Sequence, residues 1–268
     1  MKLSKKLLAV AVLAAVASGA AEARIQAPGD VTPSGSELLF NLVNYTTEKS
    51  YTLDLGVTIA DFLANPTQVL PSLVFDFSVN NANFQQFLSF YTPGNNVKWG
   101  VSGGHTVFND LPDQATYGFY TTSVDAVPAV IDENFGDISN TIGVLNEIIG
   151  FVQTNDSIAV NNSTFKAKGQ NGYTGGYGND FLGALPFTAM GDVGQSLYFV
   201  HEGVDDVSYF DGALTTYANK WTFDISGNSA SLTYAPVASA VPLPAAVWMF
   251  GAGLMGVLRL NRRQSKAI

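Results

Sequence analysis

Short apolar segments alternate with polar turns along residues 24–240, and this alternation limits the body of the chain to a mainly β fold. The segments are rich in β-branched and aromatic residues, as strands are. Ser36–Val43 and Tyr51–Val57 flank a polar turn and predict a hairpin, and 220–225 and 230–234 predict another around 226–228. The spacing favours a single β-sandwich or jelly-roll-like domain over residues 24–234. Further predicted strands are Leu73–Val79, Val97–Val101, Thr116–Thr122 and Gln195–His201.

One segment has helical instead of strand periodicity. Apolar residues recur there at steps of four and three, which predicts an amphipathic helix over Asp137–Gln153, inserted between strand groups. A shorter helix is expected at Ile59–Ala64, because the Asn65-Pro66 pair that follows disfavours helical backbone. The apolar positions of the longer helix are Ile138, Ile142, Leu145, Ile149 and Val152.

The residue content excludes several chemistries. The chain has 268 residues and no cysteine, so disulfides, thiolate nucleophiles and cysteine-ligated zinc are all excluded. The formal net charge is −9. Residues 24–240 alone carry 6 basic and 21 acidic residues, a net charge of −15. Because residues 24–240 carry this negative charge, they repel nucleic acid and anionic lipid, and we expect neither as a partner.

The N-terminal residues 1–23 have the pattern of a secretory signal peptide. Lys2, Lys5 and Lys6 form a basic start, and Leu7–Ala17 form an apolar stretch of the usual length. Ala21 and Ala23 then supply the small residues of an A-x-A cleavage site. We therefore expect export through the inner membrane and cleavage by signal peptidase.

The C-terminal residues 241–268 form a second unusual segment, joined to the body by the predicted linker 235–240. Val241–Leu258 contains no charged residue, and Pro244 suits the first turn of a helix. The 15 residues from there to Leu258 span about 22 Å as a helix, short of the ~30 Å hydrocarbon core of a bilayer, although the segment could reach across if Arg259 extends to the interface. The basic residues that follow should stay on the cytoplasmic side, which leaves the body outside. They are Arg259, Arg262 and Arg263.

This tail resembles the PEP-CTERM class of sorting signals, in the variant named for its V-P-L-P-A opening. The opening corresponds here to Val241, Pro242, Leu243, Pro244 and Ala245, followed by an apolar segment with Trp248 and the arginines. The resemblance covers only the tail. It implies recognition and cleavage by an exosortase, a membrane protease of Gram-negative bacteria that make extracellular polysaccharide. A permanent membrane anchor is the alternative.

A glycine-rich stretch, Gly175–Gly183, matches the calcium-binding nonapeptide of β-rolls, with Asn179 and Asp180 as possible ligands. Such rolls bind calcium between successive copies, and the chain has a single copy. A glycine-rich loop between strands is therefore the preferred interpretation, with calcium as a weaker alternative and no other cofactor expected.

Other residues suggest chemistry only weakly. His201-Glu202 lacks the second histidine of a zincin motif, and His105 lies in a polar glycine-containing stretch that predicts a loop. Glu202, Asp205 and Asp206 form an acidic cluster, but such a cluster is expected by chance in a body with 21 acidic residues. Aromatic residues that stack on sugars could come from two groups: Tyr117, Phe119 and Tyr120, or Tyr173 and Tyr177, joined by Trp99 or Trp221.

These features predict a non-enzymatic, exported protein at the cell surface or in the extracellular matrix. Its expected role is structural or adhesive within the exopolysaccharide of a biofilm, with transient attachment to the inner membrane through the tail. The alternative is a secreted polysaccharide-binding module or a polysaccharide-active enzyme, for which two carboxylates in one cleft would be the mark.

Overall fold

The computed structural model describes residues 35–64, 81–105, 117–128, 141–150, 163–181, 185, 187–204 and 212–236. The chain divides into two compact units, Met1–Ala235 and Pro236–Ile268. The described part of the first unit is mainly β, as the sequence predicts. Its strands are β1 Glu37–Asn44, β2 Lys49–Thr58, β3 Val97–His105, β4 Gly118–Ser123, β5 Ser163–Ala167, β6 Gly191–Asp192, β7 Ser196–Val204, β8 Gly212–Ser226 and β9 Ser229–Pro236.

The strands form one sheet rather than two stacked ones. Its order is β5-β2-β1-β3-β4-β7-β8-β9, and β6 pairs with β3 beside β4. The strand pairs from β5 to β8 are antiparallel. Both predicted hairpins are present, as β1–β2 and as β8–β9. The prediction of a β-sandwich is thus met only in its coarser form, a mainly β domain.

The sheet curls so strongly that its two halves face each other. Phe40 on β1 and Phe223 on β8 lie four strands apart, about 19 Å in a flat sheet. Their ring centroids are nevertheless only 4.7 Å apart, and Trp99 on β3 also contacts Phe223 at 5.8 Å. Curling therefore creates the enclosed core that two stacked sheets would otherwise provide.

The concave side of the sheet, here the inner face, carries the larger apolar cluster. Phe40, Trp99, Phe199 and Trp221 are all fully buried in it. Two short helices cover its margin, α1 at Ile59–Ala64 and α2 at Ala82–Leu88. The sequence predicts α1 and misses α2.

Helix α2 begins at a buried polar contact that explains its position. The Asn81 side chain accepts a hydrogen bond from the Phe84 amide at 3.0 Å and so caps the helix. It also donates to the Tyr51 hydroxyl at 2.6 Å and accepts from Ser163 Oγ at 3.1 Å. One asparagine thus joins α2 to β2 and β5.

The convex side, here the outer face, carries a second apolar cluster beneath a helix. Residues 141–150 are helical and form α3. Ile142, Leu145 and Ile149 are buried there against strand residues that include Phe119 and Val200. The described part of the predicted helix Asp137–Gln153 is therefore confirmed, while Ile138 and Val152 lie outside the described residues.

Candidate functional site: the glycine-rich loop

The glycine-rich loop, defined here as residues 168–181, follows β5 and contains a 3₁₀ helix at Thr174–Tyr177. Its start is fastened to the β1–β2 turn, because the Lys168 amide donates to the Glu48 carbonyl at 3.0 Å. The Lys168 and Glu48 side chains also form an exposed ion pair. The loop therefore begins beside the tip of the first hairpin.

Three further contacts hold the loop against the outer face of the sheet. The Thr174 amide donates to Ser50 Oγ on β2 at 3.1 Å. The Ala189 amide donates to the Asn179 carbonyl at 2.7 Å, which ties the end of the loop to the segment before β6. Phe181 packs edge-on against Phe119 with ring centroids 5.1 Å apart. The loop is thus anchored along its length.

Half-buried tyrosines surround the loop and keep their hydroxyl protons at neutral pH. Burial raises the pKa of Tyr177 to about 12, assisted by Glu147, whose carboxylate accepts its hydrogen bond at 3.1 Å. Burial, Tyr173 and Asp180 together raise the pKa of Tyr45 to about 12. The pKa of Tyr173 is also raised, first by burial and then by Glu48. The raised pKa values therefore keep these hydroxyls protonated to a higher pH than in a free tyrosine.

Two glycines of the loop lie where a side chain is disfavoured. A Cβ at Gly175 would lie 2.3 Å from the Tyr173 hydroxyl, so the tyrosine side chain occupies that space. Gly178 has φ of 67°, in the left-handed region that side chains disfavour. The described part of this stretch lies between β5 and β6, and these two glycines fit a loop there, whereas a Cβ at Gly176 would meet no atom within 4 Å.

Asn179 and Asp180 lie next to each other without forming an evident metal centre. Asn179 Oδ1 accepts a hydrogen bond from the Tyr45 hydroxyl at 3.3 Å, and the Asp180 carbonyl accepts one from the Leu185 amide. Within the described ranges, no group of three or more histidine or acidic side chains could hold a metal ion. Calcium at these two residues stays a prediction.

A row of buried polar side chains crosses five strands of the outer face and is called here the polar row. Thr164 on β5 lies opposite Thr52, Thr52 opposite Asn41 on β1, and Ser102 on β3 opposite Thr121 on β4. Between β1 and β3 the row is offset by two residues, because Asn41 lies opposite Gly100. Thr52 donates to Asn41 Oδ1 at 3.0 Å, and Asn41 Nδ2 donates to Ser102 Oγ at 3.4 Å. The strand patterns do not predict this row, because its members resemble ordinary solvent-facing strand residues.

The glycine-rich loop and the polar row border a small, partly open cavity. Its volume is about 10 Å³, roughly that of one water-sized sphere. Asn41 and Thr121 line it from the sheet, whereas Thr174, Tyr177 and Gly178 line it from the loop. The cavity therefore lies between the loop and the sheet.

The two histidines lie together at one end of the sheet, and the prediction that His105 lies in a loop is wrong. His105 is the last residue of β3 and is 2% exposed. The neighbouring glycines suggested a loop, but a Cβ at Gly104 would approach Leu145 to 3.2 Å, so glycine there serves packing. His201, on β7, stacks on Tyr120 with ring centroids 4.1 Å apart.

Glu202 is buried on β7 at 1% exposure, whereas Asp205 and Asp206 lie outside the described residues. The predicted aromatic group of Tyr117, Phe119 and Tyr120 is buried, as are Trp99 and Trp221. These rings therefore belong to the core, and only Tyr173 and Tyr177 remain as candidates for sugar contact.

The predicted signal, with Ala21 and Ala23, and the sorting tail from Val241 to Arg263 lie outside the described residues, as does the strand expected at Leu73–Val79. None of the helices in the described part of the chain is long and apolar enough to cross a membrane. No protein-family model, curated protein or solved structure matches this chain.

Proposed function

We propose that the chain is an exported protein whose C-terminal tail is a sorting signal, read and cut by an exosortase outside the cytoplasm. The observation that carries the proposal is the order of the tail: the V-P-L-P-A stretch Val241–Ala245, an uncharged apolar segment, then Arg259, Arg262 and Arg263. A secretory signal at the opposite end, with cleavage at Ala21–Ala23, is what such a route requires.

The two ends give a consistent orientation. The lysines at the start of the chain and the arginines at its end favour the cytoplasmic side of the membrane. The body between them is therefore translocated to the outer side of the inner membrane. The apolar segment from Pro244 to Leu258 would hold the chain at the inner membrane until the tail is cut. Cleavage near the prolines then detaches residues 24–240 from the membrane.

Two features of residues 24–240, the apolar clusters of the sheet and the negative charge, are compatible with function outside the cell. The sheet has apolar clusters on both faces, so its stability needs no cysteine. The net charge of −15 over residues 24–240 favours solubility. We assign the body a structural or adhesive, non-enzymatic role in the exopolysaccharide matrix at the cell surface.

Fractionation of producing cells tests the sorting step. Pro242→Ala combined with Pro244→Ala should leave the protein in the membrane fraction, whereas the wild type is recovered outside the cells. Pro236→Ala is the matched control, because Pro236 is the last residue of β9 and precedes the motif. Equal release of the doubly substituted protein and the wild type would reject the proposal.

The tyrosines of the glycine-rich loop favour one second candidate, a polysaccharide-binding surface. Tyr173 and Tyr177 are half-buried and carry neutral hydroxyls, and Asp180 in the same loop is exposed. Rings held at a surface in this way stack on the apolar faces of sugars. This candidate is compatible with sorting, since a matrix protein needs a means of attachment.

Retention on the polysaccharide of the producing cells tests this surface. Tyr173→Ala and Tyr177→Ala should each lower retention about tenfold, corresponding to the loss of one stacking contact. Tyr177→Phe keeps the ring and removes the hydrogen bond to Glu147, so it should retain most binding. Tyr198→Ala is the control, because that half-buried tyrosine lies on β7 beneath the Lys220 ammonium. Equal retention of all variants would exclude the loop as the surface.

A further inference from the structure

Strand β5 lies at one edge of the sheet in the described part of the chain, where it pairs with β2. In an antiparallel ladder, successive residues turn their N–H and C=O groups alternately toward and away from the partner strand. The Lys168 amide donates to the Glu48 carbonyl, so every second residue back from Lys168 also faces β2. The residues whose main-chain groups face away from the sheet are therefore Ser163, Phe165 and Ala167.

Side chains and a turn already occupy the outward groups at both ends of β5. At the C-terminal end, the Ala167 amide donates to Gln170 Oε1 at 2.7 Å, and the Ala167 carbonyl accepts from the Gln170 amide at 3.0 Å. At the N-terminal end, Asn83 Nδ2 on α2 donates to the Ser163 carbonyl at 2.7 Å. Gln170 and Asn83 are called here the edge caps.

The contact made by Gln170 recurs at the end of another short strand. Asp192, the last residue of β6, donates its amide to Gln195 Oε1 at 3.0 Å and accepts from the Gln195 amide at 3.0 Å. In both places a glutamine takes the two main-chain groups of the last strand residue. Strand β6 has two residues, whereas β5 has five and is long enough to pair with another strand.

Phe165 lies midway between the caps, and no hydrogen bond in the described part of the chain uses its outward N–H and C=O. Phe90, which is 39% exposed, stacks on the Phe165 ring with centroids 5.8 Å apart. A second copy of β5, related by a two-fold axis at Phe165, would bond to both of these main-chain groups. Thr164 of one copy would then lie opposite Lys166 of the other, so like charges would not oppose each other.

We propose that the β5 edge is a pairing surface for a second copy of this chain, and that the two edge caps keep it closed. To extend beyond Phe165, the pair needs hydrogen bonds between Ser163 of one copy and Ala167 of the other. The caps and the turn at Gln170 hold three of the four main-chain groups of these residues. The two bonds of Phe165 alone do not offset the cost of association. This closure does not depend on the proposed function of the chain.

A single cysteine measures the pairing, because the chain has none of its own. In the two-fold pair, the two Cα atoms of residue 165 would lie about 5.5 Å apart, within the range that a disulfide spans. The full chain with Phe165→Cys, kept in mild detergent and treated with an oxidant, should form little cross-linked dimer while both caps are present. Adding Asn83→Ala and Gln170→Ala should raise the rate of cross-linking at least about tenfold.

Gln195→Ala is the matched control. It removes the same kind of contact from the end of β6, and it should leave the rate of cross-linking at position 165 unchanged. Sedimentation of the full chain without the cysteine gives a second measure. The protein with both caps replaced by alanine should form dimers at concentrations at which the wild type is monomeric.

The exposed cap also gives a test by itself. Gln170 is exposed, so Gln170→Ala should keep the fold even if the double substitution does not, and it should cross-link faster than the protein with both caps. Equal rates of cross-linking with and without the caps would overturn the proposal. So would a doubly substituted protein that folds and stays monomeric.

Discussion

His201 shows how one side chain can set the pH range of the whole fold. It lies on β7 and its Nε2 is 2.9 Å from the Tyr117 carbonyl, to which a neutral imidazole can donate. Burial lowers the pKa of His201 from 6.5 to about 4, with His105 adding to the decrease and the Tyr117 hydrogen bond opposing it. Between these two values the unfolded chain binds a proton that the folded chain does not.

We therefore predict that the free energy of unfolding falls as the pH drops below 6.5. From this histidine alone, about 2 kcal/mol should be lost between pH 7.5 and pH 5. Urea unfolding at the two pH values measures the loss, and His201→Gln should reduce the difference by that amount. An identical pH dependence in the two proteins would show that His201 is not held neutral.

Single residues also show where sequence patterns mislead. Glycines beside His105 resemble a loop, yet close packing of Leu38 and Leu145 explains why Gly103 and Gly104 lack side chains. Asn81 resembles part of an asparagine-rich turn, yet it caps α2 and bonds to Tyr51. The packing against Leu38 and the bond to Tyr51 involve residues distant along the chain, which a local pattern cannot include, whereas the cap from Asn81 to Phe84 is a local signal that the sequence analysis missed.

At the scale of elements, α3 covers the outer face and its packing can be tested. Leu145 is completely buried in the outer cluster, whereas Asn146 beside it is exposed. Leu145→Ala should lower the free energy of unfolding by about 3 kcal/mol because it leaves a cavity, and Asn146→Ala should change it by less than about 0.5 kcal/mol.

Gly104→Ala tests the same contact from the β3 side. A Cβ there would lie 3.2 Å from Leu145 Cδ2, so the end of that side chain must move by a few tenths of an ångström, and we expect a cost of about 1 kcal/mol. In Gly104→Ala combined with Leu145→Ala, the second substitution makes room for the first, and the losses should be less than additive in denaturant unfolding. Strict additivity would contradict the contact.

The sequence predicts those helices and strands whose formation depends on residues close by in the chain. The β1–β2 hairpin forms around a turn in which Asn44 Oδ1 accepts from the Thr46 and Thr47 amides at 3.1 Å, and asparagine is typical of such turns. Strand β5 was missed because it is short and pairs with β2 across more than one hundred residues. The polar row could not be foreseen because its members resemble solvent-facing strand residues, and the cavity could not because it depends on how the loop folds back onto the sheet.

At the scale of the whole molecule, the sequence pattern of a single strand does not predict the curl of the sheet. It becomes visible only where Phe40 meets Phe223, on strands far apart in the order. Alternating apolar residues predict that each strand has a buried face, and both a sandwich and a curled sheet satisfy that requirement. Which of them forms depends on twist summed over many strands.

The central claim concerns the fate of the tail, and the mass of the protein recovered outside its native cells tests it most directly. Intact mass and C-terminal peptides should show a chain that begins after Ala23 and ends near Val241–Ala245, without Arg259, Arg262 and Arg263. Recovery only from membranes, with a C-terminus at Ile268, would contradict the account and make the tail a permanent anchor.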